Sequence, residues 1–375
     1  MSGSIKVLGL YYNKINESNT FTSGDIVEGH VVLEVTKEIV VDHFFVKLKG
    51  DAKVRWPDPS SDSNRTYRDH ERYFKLKQYF IQESLKKGEQ ERSTTRVSGE
   101  TYGPVIKKGR HVFPFRFRLP QKNIPASFEG VHGSVKYVLM VKLKRHRKPT
   151  SSTCRELTVL PRNDRTHEFL MLPQYVIREK KMRLFSSGKI SLAVTTDKTG
   201  YMQGETIKNV VDIDNSSSHD VKPMYSLQQQ QTFMAGKETK IKSKNIVHET
   251  KDCVPSGGKH NFIVNLKLPR YLPVTIENCR ILKVQYYLKV SLDVSFATDP
   301  EIMLPVVILP ADQQCPPCQG PSGGFQPYPP PQPNLVPYPG GQPPPYAELY
   351  PNAMLPGFYP TPSAPVYDPN QSTKF

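Results

Sequence analysis

The sequence predicts an all-β protein: two tandem β-sandwiches in the first 310 residues, then a disordered Pro-rich tail. Three observations carry this. The first part of the chain contains an internal duplication. The duplicated blocks alternate apolar and polar residues at period 2, the side-chain period of a strand. From Ala311 the composition changes: the last 65 residues hold 19 of the chain's 35 prolines, six tyrosines and six glycines, and almost no charge.

The duplication has three blocks. Phe21-Thr22-Ser23-Gly24-Asp25-Ile26-Val27 reappears 180 positions on as Tyr201-Met202-Gln203-Gly204-Glu205-Thr206-Ile207. Gly109-Arg110-His111-Val112-Phe113-Pro114-Phe115-Arg116-Phe117-Arg118-Leu119-Pro120 aligns without gaps, 149 positions on. Its partner is Gly258-Lys259-His260-Asn261-Phe262-Ile263-Val264-Asn265-Leu266-Lys267-Leu268-Pro269. Val135–Val141 matches Val284–Val290 at the same offset. Phe113, Phe115, Phe117 and Leu119 alternate with polar or Pro positions, as Phe262, Val264, Leu266 and Leu268 do, so these blocks are strands. Frequent Gly and Pro punctuation with no long helical period points to two sandwiches. The expected bounds are 1–165 and 173–310, joined from about Pro161 to Pro173, with the tail at 311–375. The offset falls from 180 to 149, so the first copy holds 31 extra residues, with the polar stretch Trp56–Arg65 as their expected site. One short helix is expected within Tyr79–Lys87.

Formal charge is +16. The tail sets Lys374 against Asp312, Glu348 and Asp368, so the excess lies in the sandwiches. It asks for acidic lipid, phosphorylated protein or nucleic acid as partner, or serves solubility. The basic run Lys142, Lys144, Arg145, Arg147 and Lys148 ends a strand and enters a loop. Alternation turns Val141 and Leu143 to the core, and Lys142 and Lys144 outward. The functional reading is an anion-binding surface; the bland one is a solvated rim. Nucleic acid is disfavoured, because no basic patch interleaves with aromatics and the tail lacks Arg-Gly repeats.

An N-terminus without an apolar h-region, and no run long enough to span a bilayer, predict a cytosolic protein. Five scattered cysteines argue against a disulfide framework. No H-E-x-x-H, P-loop, G-x-S-x-G or nucleotide-binding glycine pattern is present. Neither an enzyme nor a cofactor is therefore expected; a sandwich hydrolase is the third reading, after the nucleic-acid binder. His111 and His260 occupy equivalent positions, which indicates a structural role.

The tail cannot bury enough apolar surface to offset its ordering entropy, so polyproline II and disorder are expected. It contains three peptides of the kind that folded domains read. Pro343, Pro344 and Tyr346 spell P-P-x-Y, in which polyproline II docks in an aromatic-lined groove and the Tyr ring fills a second pocket. Leu349, Tyr350, Pro351 and Leu355 spell L-Y-P-x-x-x-L, similar to the peptide bound by the ESCRT accessory protein ALIX. Pro362, Ser363, Ala364 and Pro365 spell P-S-A-P, similar to the peptide read by the ubiquitin-E2-variant domain of ESCRT-I. The bland reading of all three is a spacer whose Pro-rich composition writes such patterns by chance.

Two sandwiches that each carry a G-x-H-x-F-x-F-type strand resemble the arrestin fold, over roughly the first 310 residues. With a P-P-x-Y tail, the chain resembles the α-arrestins, or arrestin domain-containing proteins. The resemblance implies a cytoplasmic adaptor, recruited to the plasma membrane and endosomes. It would link membrane receptor or transporter cargo to WW-domain HECT ubiquitin ligases in endocytosis and protein sorting, with ESCRT-I and ALIX as further partners. A phosphoinositide-binding scaffold without a ligase partner is an alternative. The chain departs from the common pattern in having one clear P-P-x-Y where two are usual; Ala364-Pro365-Val366-Tyr367 lacks the first proline. One site forgoes avidity for a ligase with several WW domains.

Overall fold

In the computed structural model, which describes residues 4–58, 65–82, 94–161, 168–181, 188–294 and 299–311, both repeat copies open on the same turn. Gly24 and Gly204 have φ of 87° and 81°, a backbone region that residues with a Cβ rarely adopt. The acid that follows caps the turn. Asp25 accepts the Thr22 N–H at 2.7 Å and Glu205 accepts the Met202 N–H at 2.8 Å. The leading aromatics, Phe21 and Tyr201, are fully buried. The recurring aromatic, Gly and acid are thus one device used twice.

The first copy contributes β1 (Ile5–Tyr12), β2 (Thr20–Phe21), β3 (Ile26–Val35), β4 (Ile39–Val40), β5 (His43–Pro57) and β6 (Thr66–Gln82). It continues with β7 (Thr95–Val97), β8 (Val105–Ile106), β9 (Gly109–Arg118), β10 (Phe128–Glu129), β11 (Gly133–Lys144) and β12 (Ser151–Val159). After a 3-10 turn at Glu168–Met171 come β13 (Gln174–Lys181), β14 (Gly188–Thr196), β15 (Gly200–Met202), β16 (Thr206–Ser217) and β17 (Val221–Ala235). The last strands are β18 (Glu238–Thr250), β19 (Lys259–Lys267), β20 (Leu282–Val294) and β21 (Glu301–Leu309).

The two copies share one topology. β1-β3-β9 corresponds to β14-β16-β19, with β13 added at the edge. β2-β12-β11-β5-β6 corresponds to β15-β21-β20-β17-β18, with β7 added. Among the described residues, the shared pattern departs from antiparallel pairing in the short strands at the start. β2 runs parallel to β12 with Phe21 opposite Val159, and β15 runs parallel to β21 with Tyr201 opposite Ile308. Tyr137 on β11 donates its hydroxyl to Pro125 O at 2.7 Å; its counterpart Tyr286 on β20 donates to Pro273 O at 2.5 Å. The all-β expectation therefore stands, and no described helix is long and apolar enough to cross a membrane.

The period-2 faces fill the cores. Phe113, Phe115, Phe117 and Leu119 are buried, as are Val264, Leu266 and Leu268; Phe262 is only half-buried. The two sandwiches touch through β6 and the loop before β20. Glu71 accepts the Arg280 N–H at 2.9 Å, the Arg280 guanidinium pairs with Asp69 at 3.2 Å, and Asn278 donates to Asn123 Oδ1 at 2.6 Å. His132 meets the Phe233 ring edge-on at 5.5 Å.

Two expectations need correction. Tyr79–Gln82 is strand, not helix, and 83–87 lie outside the described residues. The reason is a β-bulge opposite Phe44 and Phe45: Tyr79 pairs with Phe45 and Ile81 with Phe44, leaving Phe80 as the extra residue. Phe80 and Ile81 are both buried, which breaks the strand period in the sequence. The main site of the additional residues is also displaced. Trp56 and Pro57 belong to β5, and Trp56 is buried. The longer excess falls between β6 and β9, where residues 83–108 correspond to residues 251–258 of the second copy.

Candidate anion-binding surface

The basic run sits where strand alternation puts it. Val141 and Leu143 are buried on β11, while Lys142 and Lys144 point outward; Lys144 is the last residue of the strand. Beyond it the chain turns tightly. Lys148 donates its N–H to Arg145 O at 3.3 Å, and Arg147 takes a left-handed φ of 49°. Arg147 and Lys148 are exposed. Arg145 is held differently: its guanidinium reaches back to Ser4 Oγ at 2.7 Å, and the side chain is half-buried. Four of the five cations thus face solvent, and the fifth ties the turn to the chain start.

The structure extends this surface beyond the basic run. β11 lies against β5, with Lys142 opposite Phe45, Met140 opposite Lys47 and Val138 opposite Lys49. β5 lies against β6, with Lys47 opposite Lys77 and Lys49 opposite Lys75. Lys47, Lys49, Lys75, Lys77 and Lys142 therefore share the face turned away from the core, with Lys77 buried there at 7% exposure. The Lys77 ammonium lies over the Phe45 ring at 4.8 Å and the Tyr79 ring at 5.7 Å, and Arg96 on β7 lies over Tyr79 at 5.1 Å. Cations held against ring faces are attracted by the aromatic quadrupole.

The ionisation of this face records its crowding. Burial, and then Lys142, Lys49, Lys75 and Lys77, push the Lys47 amine down to about 8. At the far end, burial raises the Asp51 carboxyl. Hydrogen bonds from Lys49, Arg72 and His70 outweigh that and hold it at about 2. Their distances to Asp51 are 2.8 Å, 2.8 Å and 3.0 Å. None of Lys47, Lys49, Lys75 and Lys77 belongs to the run singled out in the sequence. The signal was the alternation Lys47-Leu48-Lys49 and Lys75-Leu76-Lys77, two outward pairs whose adjacency only the sheet register reveals.

The remaining candidates lie outside the described residues: Pro343, Pro344 and Tyr346; Leu349, Tyr350, Pro351 and Leu355; and Pro362, Ser363, Ala364 and Pro365. Among the described residues no group of histidine, cysteine and acidic side chains could hold a metal ion. His111 donates from Nε2 to Lys107 O at 2.8 Å, and His260 stacks on Phe262 at 5.7 Å.

Comparison with known proteins agrees with the duplicated topology. Residues 9–165 match "Arrestin (or S-antigen), N-terminal domain" and residues 186–313 match "Arrestin (or S-antigen), C-terminal domain". The chain is 29% identical to mouse arrestin domain-containing protein 4 over 317 residues, which covers 82% of this chain and 72% of the relative. It is 26% identical to human thioredoxin-interacting protein over 316 residues, covering 82% and 75%. Two matched domains in order, on two sandwiches of one topology, place the chain in the arrestin family, among the α-arrestins.

Proposed function

We propose that the chain is a non-enzymatic adaptor that links membrane receptor or transporter cargo to WW-domain HECT ubiquitin ligases. The observation that carries this is Pro343-Pro344-Pro345-Tyr346, which follows an arrestin pair in a segment built of proline. Proline pre-sets the polyproline II conformation, so docking costs little ordering entropy, and Tyr346 supplies the ring for the second pocket. The arrestin pair takes the cargo. The basic loop of Lys142, Lys144, Arg147 and Lys148 meets anionic lipid at the plasma membrane or endosome.

Capture of the intact protein on WW domains tests the ligase link. Tyr346→Ala is expected to weaken capture by about 2 kcal/mol or more, as loss of a pocket-filling aromatic does. Phosphorylation of Tyr346 acts in the same direction by placing a charge of about −2 in an apolar groove. Wild-type capture by the Tyr346→Ala protein overturns the assignment.

The same strip recruits ESCRT. Leu349, Tyr350, Pro351 and Leu355 serve ALIX, and Pro362, Ser363, Ala364 and Pro365 serve ESCRT-I. Each is a short extended peptide that buries few side chains, so each binds in roughly the micromolar range or weaker. Titration of the chain with the ESCRT-I ubiquitin-variant domain is expected to show binding that Pro365→Ala abolishes. Absence of any binding to the unaltered chain removes ESCRT and leaves the ligase adaptor.

A further inference from the structure

We propose that the free edge of β19 takes up an extended segment of a partner protein as a further, antiparallel strand, with acidic residues ahead of an apolar one.

The duplicated fold supplies an internal control. β9 and β19 are equivalent strands, each at the end of its sheet, with Pro114 at the place of Ile263 and Arg116 at that of Asn265. In the first copy this edge is closed. Pro114 has no N–H to offer. The buried Gln78 side chain donates to Pro114 O at 3.1 Å and accepts the Arg116 N–H at 3.2 Å. The chain before β8 completes the cover: the Tyr102 ring lies 4.9 Å from Phe113, and its N–H donates to Phe80 O at 2.7 Å.

The second copy lacks all three covers. Ile263 replaces the proline. The ladders put Glu249 where Gln78 stands, and Glu249 pairs with Lys251 instead. Only residues 251–258 stand in for the long excess of the first copy, so nothing equivalent to Tyr102 covers Phe262, which stays half-buried. By equivalence with Pro114 O and the Arg116 N–H, the Ile263 C=O and the Asn265 N–H point away from the sheet. No described group bonds them. β19 pairs with β16 without a bulge, and Ile263, at its centre, is 70% exposed. Soluble proteins otherwise blunt such an edge with proline, a bulge or a covering loop, and the first copy uses two of these.

Charge sets the direction of the incoming strand. The outward side chains of β19 are Lys259, Asn261, Ile263, Asn265 and Lys267. Lys267, and Lys208 opposite Asn265, are exposed, and neither has a carboxylate partner among the described residues. At the other end Lys259 pairs with Asp214 at 2.7 Å, and Asp212 accepts from Asn261. The face is thus basic toward Lys267 and acidic toward Asp212. In an antiparallel strand, the residues two and four places before the one opposite Ile263 lie beside Asn265 and Lys267. Acids there meet Lys208 and Lys267, and an apolar residue meets Ile263. A second copy of this chain fits less well, because pairing β19 with itself about Ile263 sets Lys259 opposite Lys267 at both ends. The segment belongs to the cytoplasmic part of the cargo, and in this respect the inference rests on the adaptor reading.

The test uses the full chain and a synthetic peptide of threonine and valine, with isoleucine at its centre and glutamate two and four places before it. Binding should slow hydrogen exchange at the Ile263 and Asn265 amides. Those of Phe262 and Val264, which face β16, should change little. Ile263→Pro installs the residue that the first copy carries at this place. It is expected to weaken peptide binding about tenfold, through a lost edge hydrogen bond and a ring against the incoming strand, with an unfolding midpoint near wild type. Ile263→Asp, which keeps the N–H, should weaken binding by a similar factor. Lys267→Glu should weaken it about fivefold, and a peptide with lysines in place of the glutamates should recover that loss.

Undiminished binding by both Ile263 variants, or unchanged exchange at Ile263 and Asn265, overturns the edge. Equal binding of a peptide whose glutamates follow the isoleucine overturns the direction. Slow exchange at these amides in the monomeric chain without peptide assigns the edge to a segment of the chain itself and overturns the partner. Protection that grows with chain concentration assigns it to a second copy and does the same. The peptide assay needs no cargo, and capture on WW domains reports the ligase link on the same proteins, since these changes leave Tyr346 intact. Failure of the edge and failure of the adaptor reading are thereby read apart.

Discussion

Asp51→Ala is expected to destabilise the first sandwich by about 3–5 kcal/mol, the range for removing one partner of a buried ionic cluster. Asp51 is 4% exposed on β5 and accepts from Lys49, His70 and Arg72. Alanine leaves those groups without their carboxylate, next to Lys47 and Lys75, so repulsion adds to the lost hydrogen bonds. The effect depends on pH. The Asp51 carboxyl is lowered from 3.8 to about 2 on folding, so its contribution is complete above about pH 4 and is lost as pH falls through about 2. Urea unfolding of wild type and variant across that range should show curves that converge toward acid. Asp51→Asn, which keeps an acceptor, should lose less. Wild-type stability in Asp51→Ala at neutral pH contradicts the assignment.

Phe113→Ala is expected to cost a similar about 3–5 kcal/mol, by a different route: lost transfer energy plus a cavity. The Phe113 ring is 3% exposed and lies 4.8 Å from Phe44, 5.3 Å from Phe80 and 4.9 Å from Tyr102. These rings are fixed by β5, β6 and the chain before β8, so the gap cannot close by a local shift. The repeat again offers a control. Phe262 stands at the same motif position in the second copy but is half-buried, with His260 stacked on it at 5.7 Å. Phe262→Ala should cost clearly less, near the transfer term for a partly exposed ring, about 1–2 kcal/mol. Unfolding midpoints of the two variants, followed by a probe in each sandwich, check the order. Equal losses contradict the burial argument.

Sequence alone determined the class and the duplication, because both rest on local rules. Side chains alternate across a strand whatever its partner, so Phe113, Phe115, Phe117 and Leu119 declared a buried face, and Lys142 and Lys144 an outward one. The Gly24–Asp25 and Gly204–Glu205 steps declared a repeated turn, since a left-handed backbone and an acid cap are needs of four residues. The tail peptides were equally plain, as patterns of a few adjacent residues. The bulge at Phe80 was not: two successive buried residues imitate a helical turn until the opposite strand shows which one is extra. The lysine face was not either. Lys47, Lys77 and Lys142 lie on three strands far apart in the chain, and period 2 sets the direction of each without setting its neighbour. Which strands adjoin, and in what register, is decided by long-range pairing that buries both cores at once. Only then do the cations meet; burial first, and then repulsion at distances that the folded sheet creates, lower the Lys47 amine to about 8.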